Sequence, residues 1–313
     1  MRPIAVIDVG SNSICLMTGL VLRSGRIHVI DKLKDAARMR DELGEDGTLS
    51  EAAIERAVAL LKVFRTQVDE FDAELRAVAT ATLRAARNTP EFVERVRQEA
   101  GIELEVISGE QEARLAFRGV VEGMGAPPGD VLCADVGGGS TELVLGRDGE
   151  VAYTVSIPVG ALVVAKQWLG PDPVSPQAVA RARKEIDHLL RPALRNFHDL
   201  PHLRGIATSG TIQRIARIAA ALDGQVRTDV DRMVLGRTEF ARVVAALEHA
   251  PTQRERLHLP GMDPTRADSL LGGALIHAAL ADALSLHHWT VSMAGLRMGI
   301  LAELRDARRP SGN

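Results

Sequence analysis

Short apolar runs alternate with longer amphipathic segments in the first part of the chain, and the two patterns predict strands and helices. The apolar runs predict strands near 4–7, 14–22, 27–33, 75–79 and 104–107. The amphipathic segments predict helices that begin near Ser50, Thr89 and Glu110, with Ser50 and Thr89 as their N-caps. Alternating strands and helices are typical of a layered α/β domain.

The first of these helices has the clearest helical periodicity. Its apolar residues recur at the spacing of one helix face, which carries Ile54, Val58, Leu61, Phe64, Val68 and Phe71. We expect this whole face to be buried, because an amphipathic helix of a globular protein packs its apolar stripe against the core.

The same alternation returns after a segment rich in glycine and proline at 123–129, which is the best candidate for a linker. Strands are predicted near 130–135, 141–146, 150–157, 205–208 and 289–292. Helices are predicted near 161–169, 177–197, 238–248, 266–284 and 296–308, with one more after Thr211. The predicted domains are therefore 1–122 and 123–313, and packing of the last helix against the first domain is left open.

One motif occurs in each half, at the same place in the strand pattern. Asp8–Ser13 (loop 1) and Asp135–Ser140 share the pattern D-V-G-x-x-S, and each lies between two apolar runs. We name the second segment, extended to Thr141, loop 2. A repeated motif in a repeated context indicates that the two halves are duplicated.

The composition of the two loops points to phosphate. Glycine lets successive backbone N–H groups turn toward one anion, and small hydroxyl side chains add donors. The candidate phosphate-binding residues are Ser11, Asn12, Ser13, Gly137, Gly138, Gly139, Ser140 and Thr141. Asp8, Asp135 and Glu142 offer hard oxygen ligands suited to Mg²⁺. Two ordinary glycine-rich hairpins are the alternative, which the matched positions disfavour.

Three further features fit phosphate chemistry. Ser209-Gly210-Thr211 (loop 3) opens a helix, where free N–H groups favour an anion, although a plain helix cap is the alternative. Glu112 lies at a strand-to-helix junction and is a candidate for the carboxylate that deprotonates water in phosphoanhydride hydrolysis. An ordinary first-turn glutamate is its alternative. Arg84 follows a strand and two threonines and can bind phosphate oxygens bidentately.

Composition and charge narrow the class of protein. The net charge is -3, from 38 basic and 41 acidic side chains, so the chain has no global basic field of a nucleic-acid binder. Both cysteines lie in apolar runs and are expected to be buried and free of disulfides. Neither a signal peptide nor a bilayer-spanning run is recognisable. The sequence therefore favours a cytoplasmic enzyme with neither membrane nor nucleic-acid partners.

These motifs, taken together, resemble the exopolyphosphatase and guanosine pentaphosphate phosphatase (Ppx/GppA) family. The resemblance covers nearly the whole chain, and its further motifs are Ala81–Arg84, Ile107–Gly109, Glu112–Arg114, Pro158–Gly160, Pro260-Gly261, Arg266–Asp268 and Gly295–Arg297 with Gly299. It implies an α/β fold of two actin-like, ribonuclease H-like domains that face each other across a cleft.

The resemblance also implies a reaction. A family member would release orthophosphate from the end of inorganic polyphosphate with Mg²⁺ or Mn²⁺. The catalytic glutamate of the family falls on Glu112, and its metal-associated carboxylates fall on Asp135 and Glu142, with Asp8 nearby. Its phosphate contacts fall on Arg84, on loop 3 (Ser209, Gly210 and Thr211), and on these residues of loops 1 and 2: Ser11, Asn12, Ser13, Gly137, Gly138, Gly139 and Ser140. A homodimer is plausible from the resemblance alone.

The chain departs from the family pattern at three positions. Gln111 stands where many members have a glutamate, Cys15 where relatives often have a basic or imidazole side chain, and Met298 interrupts an Arg-Glu-Gly run. The chain resembles the short members, which lack a C-terminal helical extension, and a preference for shorter polyphosphate is the hypothesis that follows.

Three alternative functions stay open. Hydrolysis of guanosine pentaphosphate at its 5′ end is the first, and the few aromatic residues, one Tyr, two Trp and six Phe, mildly disfavour base recognition. An ATP-dependent sugar kinase of the same superfamily is the second, with Gly272-Gly273-Ala274 as a candidate adenosine pocket. A non-catalytic sensor of polyphosphate or an alarmone is the third.

Overall fold

The computed structural model describes residues 2–308, which divide into two compact units. The first unit contains the described residues up to Gly119 and from Leu296 onward. The second unit is Val120–Gly295. The last helix thus belongs to the first unit, the arrangement that the sequence left open.

A five-stranded mixed sheet forms the centre of the first unit. Its strands are β1 (Ile4–Val9), β2 (Ile14–Val21), β3 (Ile27–Asp35), β4 (Glu74–Ala79) and β5 (Leu104–Val106). The order is β3-β2-β1-β4-β5, with β1 antiparallel to β2 and parallel to β4. The central strand β1 is buried along its whole length, which explains its nearly continuous apolar sequence.

Helices contribute to two apolar clusters that involve opposite sides of β1. These helices are α1 (Glu51–Glu70), α2 (Ala81–Ala85), α3 (Thr89–Ala100), α4 (Gly109–Met124) and the last helix, Leu296–Ala307. Ile7 of β1 packs in the cluster that includes α1 and α3, whereas Val6 packs in the cluster that includes α4 and the last helix. The last helix approaches α4 so closely that a Cβ at Gly299 would overlap the Leu115 carbonyl.

The second unit contains a six-stranded mixed sheet. Its strands are β6 (Asp130–Val136), β7 (Thr141–Arg147), β8 (Glu150–Ile157), β9 (Arg204–Thr208), β10 (Val234–Gly236) and β11 (His288–Val291), in the order β10-β11-β9-β6-β7-β8. As with β1 in the first unit, β6 is antiparallel to the next strand, β7, and parallel to a later one, β9. The motif that is repeated in sequence is therefore repeated in topology.

The second unit contains six helices, α5 to α10, and the last helix of the chain is named α11. They are α5 (Ala161–Val164), α6 (Pro176–Ala193), α7 (Gly210–Leu222), α8 (Arg237–Glu248), α9 (Gln253–Arg256) and α10 (Leu270–Ala283). Apolar side chains of α5, α6, α7, α8 and α10 share one core with β6, β7, β9 and β11, whereas α9 has only polar and charged residues. α10 is apolar almost all round and contacts α5, α6, α7 and α8, which explains its burial.

One predicted helix changes its helix type within the predicted bounds, and another begins later than predicted. The segment predicted as a helix over 161–169 is α5 followed by a π-helical turn, Ala165–Leu169. The segment predicted over 266–284 is a short 3-10 turn, Pro264–Arg266, and then α10. Asp263 caps the short turn by accepting a hydrogen bond from the Thr265 N–H at 2.9 Å.

The structure also differs from the sequence predictions at two residues near helix ends, Phe71 and Thr89. Ser50 caps α1 as predicted, by accepting from the Ala53 N–H, but Phe71 is the C-cap of that helix and is 36% exposed. Asn88 rather than Thr89 is the N-cap residue of α3, and its side chain bonds to the Leu49 backbone. Residues at a helix end lack the periodic environment that the apolar pattern predicts.

The two cysteines are as the sequence predicts. Cys15 and Cys133 are buried and free of disulfides. Burial raises the pKa of the Cys133 thiol well above its ordinary value. Within residues 2–308, each helix is too short or too polar to cross a lipid bilayer.

Candidate functional site

Loop 1 is a tight turn between β1 and β2. The Gly10 N–H donates to the Ser13 carbonyl at 3.0 Å, which closes the turn. Ser11, Asn12 and Ser13 are all buried. Within the described chain, the backbone N–H groups of Ser11 and Asn12 have no hydrogen-bond partner. Adjacent unused N–H groups in a turn are what an anion requires.

Two other segments hold loop 1 in place. The N–H groups of Arg38 and Arg40 donate to the carbonyls of Asn12 and Ser11, both at 3.0 Å. From the start of α2, the Thr82 hydroxyl donates to the Ser11 hydroxyl at 2.8 Å. Because its carbonyls are occupied in this way, loop 1 is left with donors rather than acceptors.

The Asn12 amide has a buried oxygen, Oδ1, without a partner among residues 2–308. Its nitrogen donates to the Ser13 hydroxyl at 3.3 Å. An amide turned by 180° would accept from that hydroxyl instead, and its NH₂ would occupy the position that now lacks a partner. In that orientation Asn12 adds a further donor to loop 1.

Arg40 is a residue of this region that the sequence analysis missed. Loss of water around its half-buried guanidinium lowers the pKa of Arg40. Across the described chain the Arg40 side chain makes neither an ion pair nor a hydrogen bond. A desolvated cation beside a loop of free N–H groups favours an anionic ligand. No local pattern marks Arg40, because its contact with loop 1 is made by the backbone.

Glu112 and Arg84 are brought together in the first unit. Arg84 Nη1 donates to Glu112 Oε2 at 2.6 Å and to the Ile107 carbonyl at 3.1 Å. Glu112 is 8% exposed. Arg84 lies on α2, two residues after Thr82, which donates to Ser11. The same helix therefore contacts both loop 1 and Glu112.

Gln111 fixes the start of the helix that carries Glu112. The Ser108 hydroxyl accepts from the Gln111 N–H at 3.1 Å, and the Gln111 side-chain oxygen accepts from the Ser108 N–H at 2.8 Å. This reciprocal pair is a capping box, which glutamine completes as well as glutamate does. Gln111 therefore departs from the family pattern without loss of this structural role.

Asp8, the first residue of loop 1, is bonded to the last helix. Arg297 Nη1 lies 3.1 Å from Asp8 Oδ2. Burial raises the pKa of Asp8, and the Arg297 guanidinium acts in the opposite direction. Arg297 lies in a motif that is recognisable in the sequence, but its pairing with Asp8 is visible only in the folded chain.

Loop 2 repeats the turn of loop 1 in the second unit. The Gly137 N–H donates to the Ser140 carbonyl at 2.9 Å, as Gly10 does to Ser13. Within residues 2–308 the N–H groups of Gly138 and Gly139 have no partner. The predicted phosphate loop in this unit is thus also left with free donors.

The start of α5 supports loop 2 from behind. The N–H groups of Ala161 and Leu162 donate to the carbonyls of Gly137 and Gly138 at 2.9 and 3.0 Å. A Cβ on Gly160 would lie 2.5 Å from the Gly138 carbonyl carbon, so only glycine permits this approach. This contact explains the Pro-Val-Gly motif that ends at Gly160.

Asp135 and Glu142 are direct neighbours across β6 and β7. Residues opposite each other in an antiparallel pair point to the same face, with Cβ atoms about 5 Å apart. Glu142 is 2% exposed and accepts a hydrogen bond from the Ser156 hydroxyl at 2.7 Å. Two adjacent carboxylates of like charge favour a cation between them.

Loop 3 is tied to loop 2 and bordered by two arginines. The Thr211 hydroxyl donates to the Val136 carbonyl at 2.8 Å, and Arg214 donates to the Gly210 carbonyl at 2.8 Å. A Cβ on Gly210 would lie 2.8 Å from Arg214 Nη1 and 3.4 Å from Arg266 Nη2. Arg214 was missed by the sequence analysis, although its place one helical turn after loop 3 is readable from the sequence.

Asp263 neutralises part of this positive charge. Arg214 Nη2 lies 2.5 Å from its carboxylate. Burial raises the pKa of Asp263, but hydrogen bonds from Thr265 and the charge of Arg214 lower it to about 2. The carboxylate is therefore ionised at neutral pH and holds Arg214 in place beside loop 3.

The residues present fit a hard divalent cation at loop 2. Among residues 2–308 no group of three or more histidine, cysteine, aspartate or glutamate side chains is gathered as a metal cage. Mg²⁺ is commonly held by one or two carboxylates, with water and substrate phosphates completing its shell. The pair Asp135 and Glu142 offers that donor set.

Comparison with known proteins agrees with this geometry. The model of the Ppx/GppA phosphatase family matches residues 21–307. Exopolyphosphatase 1 of Mycobacterium leprae is 31% identical over 307 residues, covering 97% of this chain and 90% of that protein. Exopolyphosphatase 1 of Mycobacterium tuberculosis is 29% identical over 306 residues, covering 97% and 88%.

Solved structures show the same fold. An exopolyphosphatase from Cytophaga hutchinsonii has a TM-score of 0.87 at 28% identity, with 98% of this chain and 99% of that chain covered. The Aquifex aeolicus PPX-GPPA enzyme has a TM-score of 0.81 at 28% identity, with 96% and 99% covered. The predicted fold class, α/β with two actin-like domains, is confirmed.

Proposed function

Because the chain belongs to the Ppx/GppA phosphatase family and is a phosphoanhydride hydrolase, we propose that it releases orthophosphate from the end of inorganic polyphosphate. The relatives named exopolyphosphatase support this substrate. The observation that carries the proposal is the buried Glu112 carboxylate, which lies 2.6 Å from Arg84. Arg84 lies on α2, and the same helix contacts loop 1 through Thr82.

Glu112 is the general base of the proposed reaction. It accepts one proton from the attacking water while the water oxygen bonds to the terminal phosphorus and the bond to the bridging oxygen breaks. The shortened polyphosphate leaves with the electron pair of that bond, and Glu112 then returns the proton to solvent. Arg84 orients the Glu112 carboxylate and keeps one of its oxygens engaged.

Backbone donors bind the substrate in this proposal. The free N–H groups of loops 1 and 2, with the side chains of Ser11, Asn12, Ser13 and Ser140, contact phosphate oxygens. The predicted contact of Thr141 is withdrawn, because its buried hydroxyl donates to the Val159 carbonyl at 2.6 Å. Loop 3 adds Ser209, Gly210 and Thr211, and the neighbouring guanidinium of Arg214 supplies positive charge.

A divalent cation belongs to the proposal as well. Asp135 and Glu142 would hold Mg²⁺ or Mn²⁺, and the ion would supply positive charge to the phosphoryl oxygens. Both carboxylates must be ionised to do so, since a protonated carboxyl group is a poor ligand for a hard cation.

Location and assembly are further parts of the proposal. We place the enzyme in the cytoplasm and regard a homodimer as its assembly, both from the resemblance to the family. Hydrolysis of guanosine pentaphosphate at its 5′ end uses the same chemistry and is the alternative. The sugar kinase and the sensor are set aside, because the relatives carry the name exopolyphosphatase.

The test is orthophosphate release from polyphosphate with Mg²⁺, for the wild type and Glu112→Gln. Loss of a general base predicts a fall in kcat of about a hundredfold or more. Glu110→Gln is the matched control, because Glu110 is exposed and lies in the same helical turn. Equal release by wild type and Glu112→Gln would refute the base assignment.

Guanosine pentaphosphate is assayed in parallel at the same concentration. A higher kcat/KM for guanosine pentaphosphate than for polyphosphate would replace the proposed substrate by the alternative. A wild type that binds polyphosphate but releases no orthophosphate would restore the sensor.

A further inference from the structure

Loop 1 begins with a carboxylate whose partner comes from the opposite end of the chain. Arg297 donates to Asp8 at 3.1 Å across a separation of 289 residues. Both residues lie in the first unit, where Leu296, Ile300 and Leu301 of α11 pack in the same apolar cluster as Ile4 and Val6 of β1. Packing of α11 therefore places Arg297 beside Asp8.

The equivalent carboxylate of loop 2 has a different neighbour. Asp8 pairs in register with Cys15, whereas Asp135 pairs in register with Glu142. Loop 2 thus carries two carboxylates side by side, and loop 1 carries one carboxylate opposite a thiol. A thiol is a poor ligand for Mg²⁺, which prefers oxygen.

We propose that Arg297 is a positioning residue, which holds Asp8 and through it loop 1. The guanidinium of Arg297 would thus balance the aspartate of loop 1, as a metal ion would balance the aspartate of loop 2. This inference rests on the proposed hydrolysis of polyphosphate. It replaces the expectation that Asp8 is a metal ligand, because a divalent cation on Asp8 would stand beside the Arg297 charge.

Arg297 reaches loop 1 from a rigid element. α11 is bound to the rest of the first unit by a close contact between Gly299 and the Leu115 carbonyl and by the ion pair of Arg308 with Glu74, at 2.6 Å. A guanidinium on such a helix is held in one place, so that the Asp8 carboxylate has one favoured orientation. Because the turn closed by Gly10 and Ser13 directly follows Asp8, a fixed Asp8 also fixes the orientation of that turn.

The first test measures metal binding, which does not depend on turnover. Mn²⁺ is titrated into wild type, Asp8→Asn and Asp135→Asn by calorimetry. The proposal predicts that Asp8→Asn changes the Kd for Mn²⁺ by less than about twofold, whereas loss of a ligand in Asp135→Asn raises it about tenfold or more. Equal weakening in both variants would overturn the proposal.

The second test separates positioning from chemistry. Arg297→Met and Asp8→Asn each raise the KM for polyphosphate about tenfold, as expected for a lost charge-assisted hydrogen bond. The value of kcat falls less than threefold, since Glu112 is untouched. The double variant is no worse than either single variant, and Arg297→Lys lies between wild type and Arg297→Met. If the fold-increase in KM of the double variant equals the product of the two single fold-increases, the pairing is refuted.

A control directly after the C-terminal end of α11 excludes general loosening of this helix. Arg308→Met removes the ion pair with Glu74 but leaves KM unchanged, because this pair is at the far end of α11 from Asp8. An equal rise of KM in Arg308→Met would assign the effect to α11 as a whole and overturn the specific role of Arg297. If wild type releases no orthophosphate, the proposed function fails, and the Mn²⁺ titration still decides the role of Asp8.

Discussion

Loops 1 and 2 share a sequence motif, a strand topology and a closing hydrogen bond, but the charges around their aspartates differ. In loop 1 the aspartate is bonded to Arg297, and its neighbour in register is Cys15. In loop 2 the neighbour in register is Glu142. The difference teaches that a duplicated motif preserves the anion-binding turn, while residues outside the motif decide what balances the aspartate.

The two loops also differ in how they are supported. Loop 1 is held through its carbonyls by the segment that contains Arg38 and Arg40, which lies between β3 and α1. Loop 2 is held through its carbonyls by the start of α5, behind Gly160. In both cases several carbonyls of the turn accept from protein N–H groups, and two adjacent backbone N–H groups are left for a ligand.

The largest expected effect concerns the carboxylates of loop 2. If Glu142 holds the proposed Mg²⁺, Glu142→Gln lowers kcat for polyphosphate by about a hundredfold or more, because a Lewis acid there would contribute several kcal/mol to stabilisation of the transition state. Asp8→Asn lowers kcat less than about threefold, since Asp8 holds no metal in this account. Steady-state phosphate release with saturating Mg²⁺ measures both. A larger fall of kcat in Asp8→Asn than in Glu142→Gln would reverse the roles of the two loops.

A smaller effect is expected from glycines. Gly160→Ala places a Cβ 2.5 Å from the backbone of Gly138 and destabilises the protein by about 1–3 kcal/mol through overpacking. Gly10→Ala meets the Ser13 carbonyl only at 3.1 Å, so its cost is the lower of the two. Thermal denaturation of the two variants measures the difference. A lower Tm for Gly10→Ala than for Gly160→Ala would show that loop 1 is the more tightly packed loop.

A further effect is a pH dependence of stability in the second unit. Burial lowers the pKa of His277 to about 4, although its hydrogen bond to the Gly273 carbonyl opposes this. Between about pH 6.5 and about pH 4 the unfolded chain binds a proton that the folded chain does not, so stability falls as pH falls, by about 1.4 kcal/mol per pH unit. Gly273 packs against Thr211 of loop 3, so this residue belongs to the scaffold behind the loops.

The control for this prediction is a histidine in the same local geometry. His249 also bonds a carbonyl one turn earlier, that of Ala245, but it is exposed. Urea unfolding from pH 4 to pH 7 should show a flatter dependence on pH in His277→Phe than in wild type, and no change in His249→Phe. An unchanged slope in His277→Phe would contradict the burial argument.

Much of the fold was readable from periodicity. The strands flanking both loops and the helix capped by Ser50 are where the sequence predicted them. The short elements α2, α9 and β10 were not predicted, because three to five residues carry too little periodic signal. The turn after α5 was predicted as regular helix, since the difference between α- and π-helical bonding leaves no mark on an apolar pattern.

The candidate site was readable only in part. Motif residues such as Glu112 and those of loop 2 could be named, because glycine, hydroxyl and carboxylate residues cluster locally. The ion pair of Asp8 with Arg297 could not, because folding joins residues that no local pattern connects. The capping box of Ser108 and Gln111 was available as an S-x-x-Q pattern and was missed.

The claim that the two loops balance their aspartates differently is tested most directly by the Mg²⁺ concentration that gives half-maximal orthophosphate release. At a fixed polyphosphate concentration, the account predicts the same value for wild type and Asp8→Asn, and a value about tenfold higher or more for Glu142→Gln. An increase in Asp8→Asn as large as that in Glu142→Gln would contradict the account.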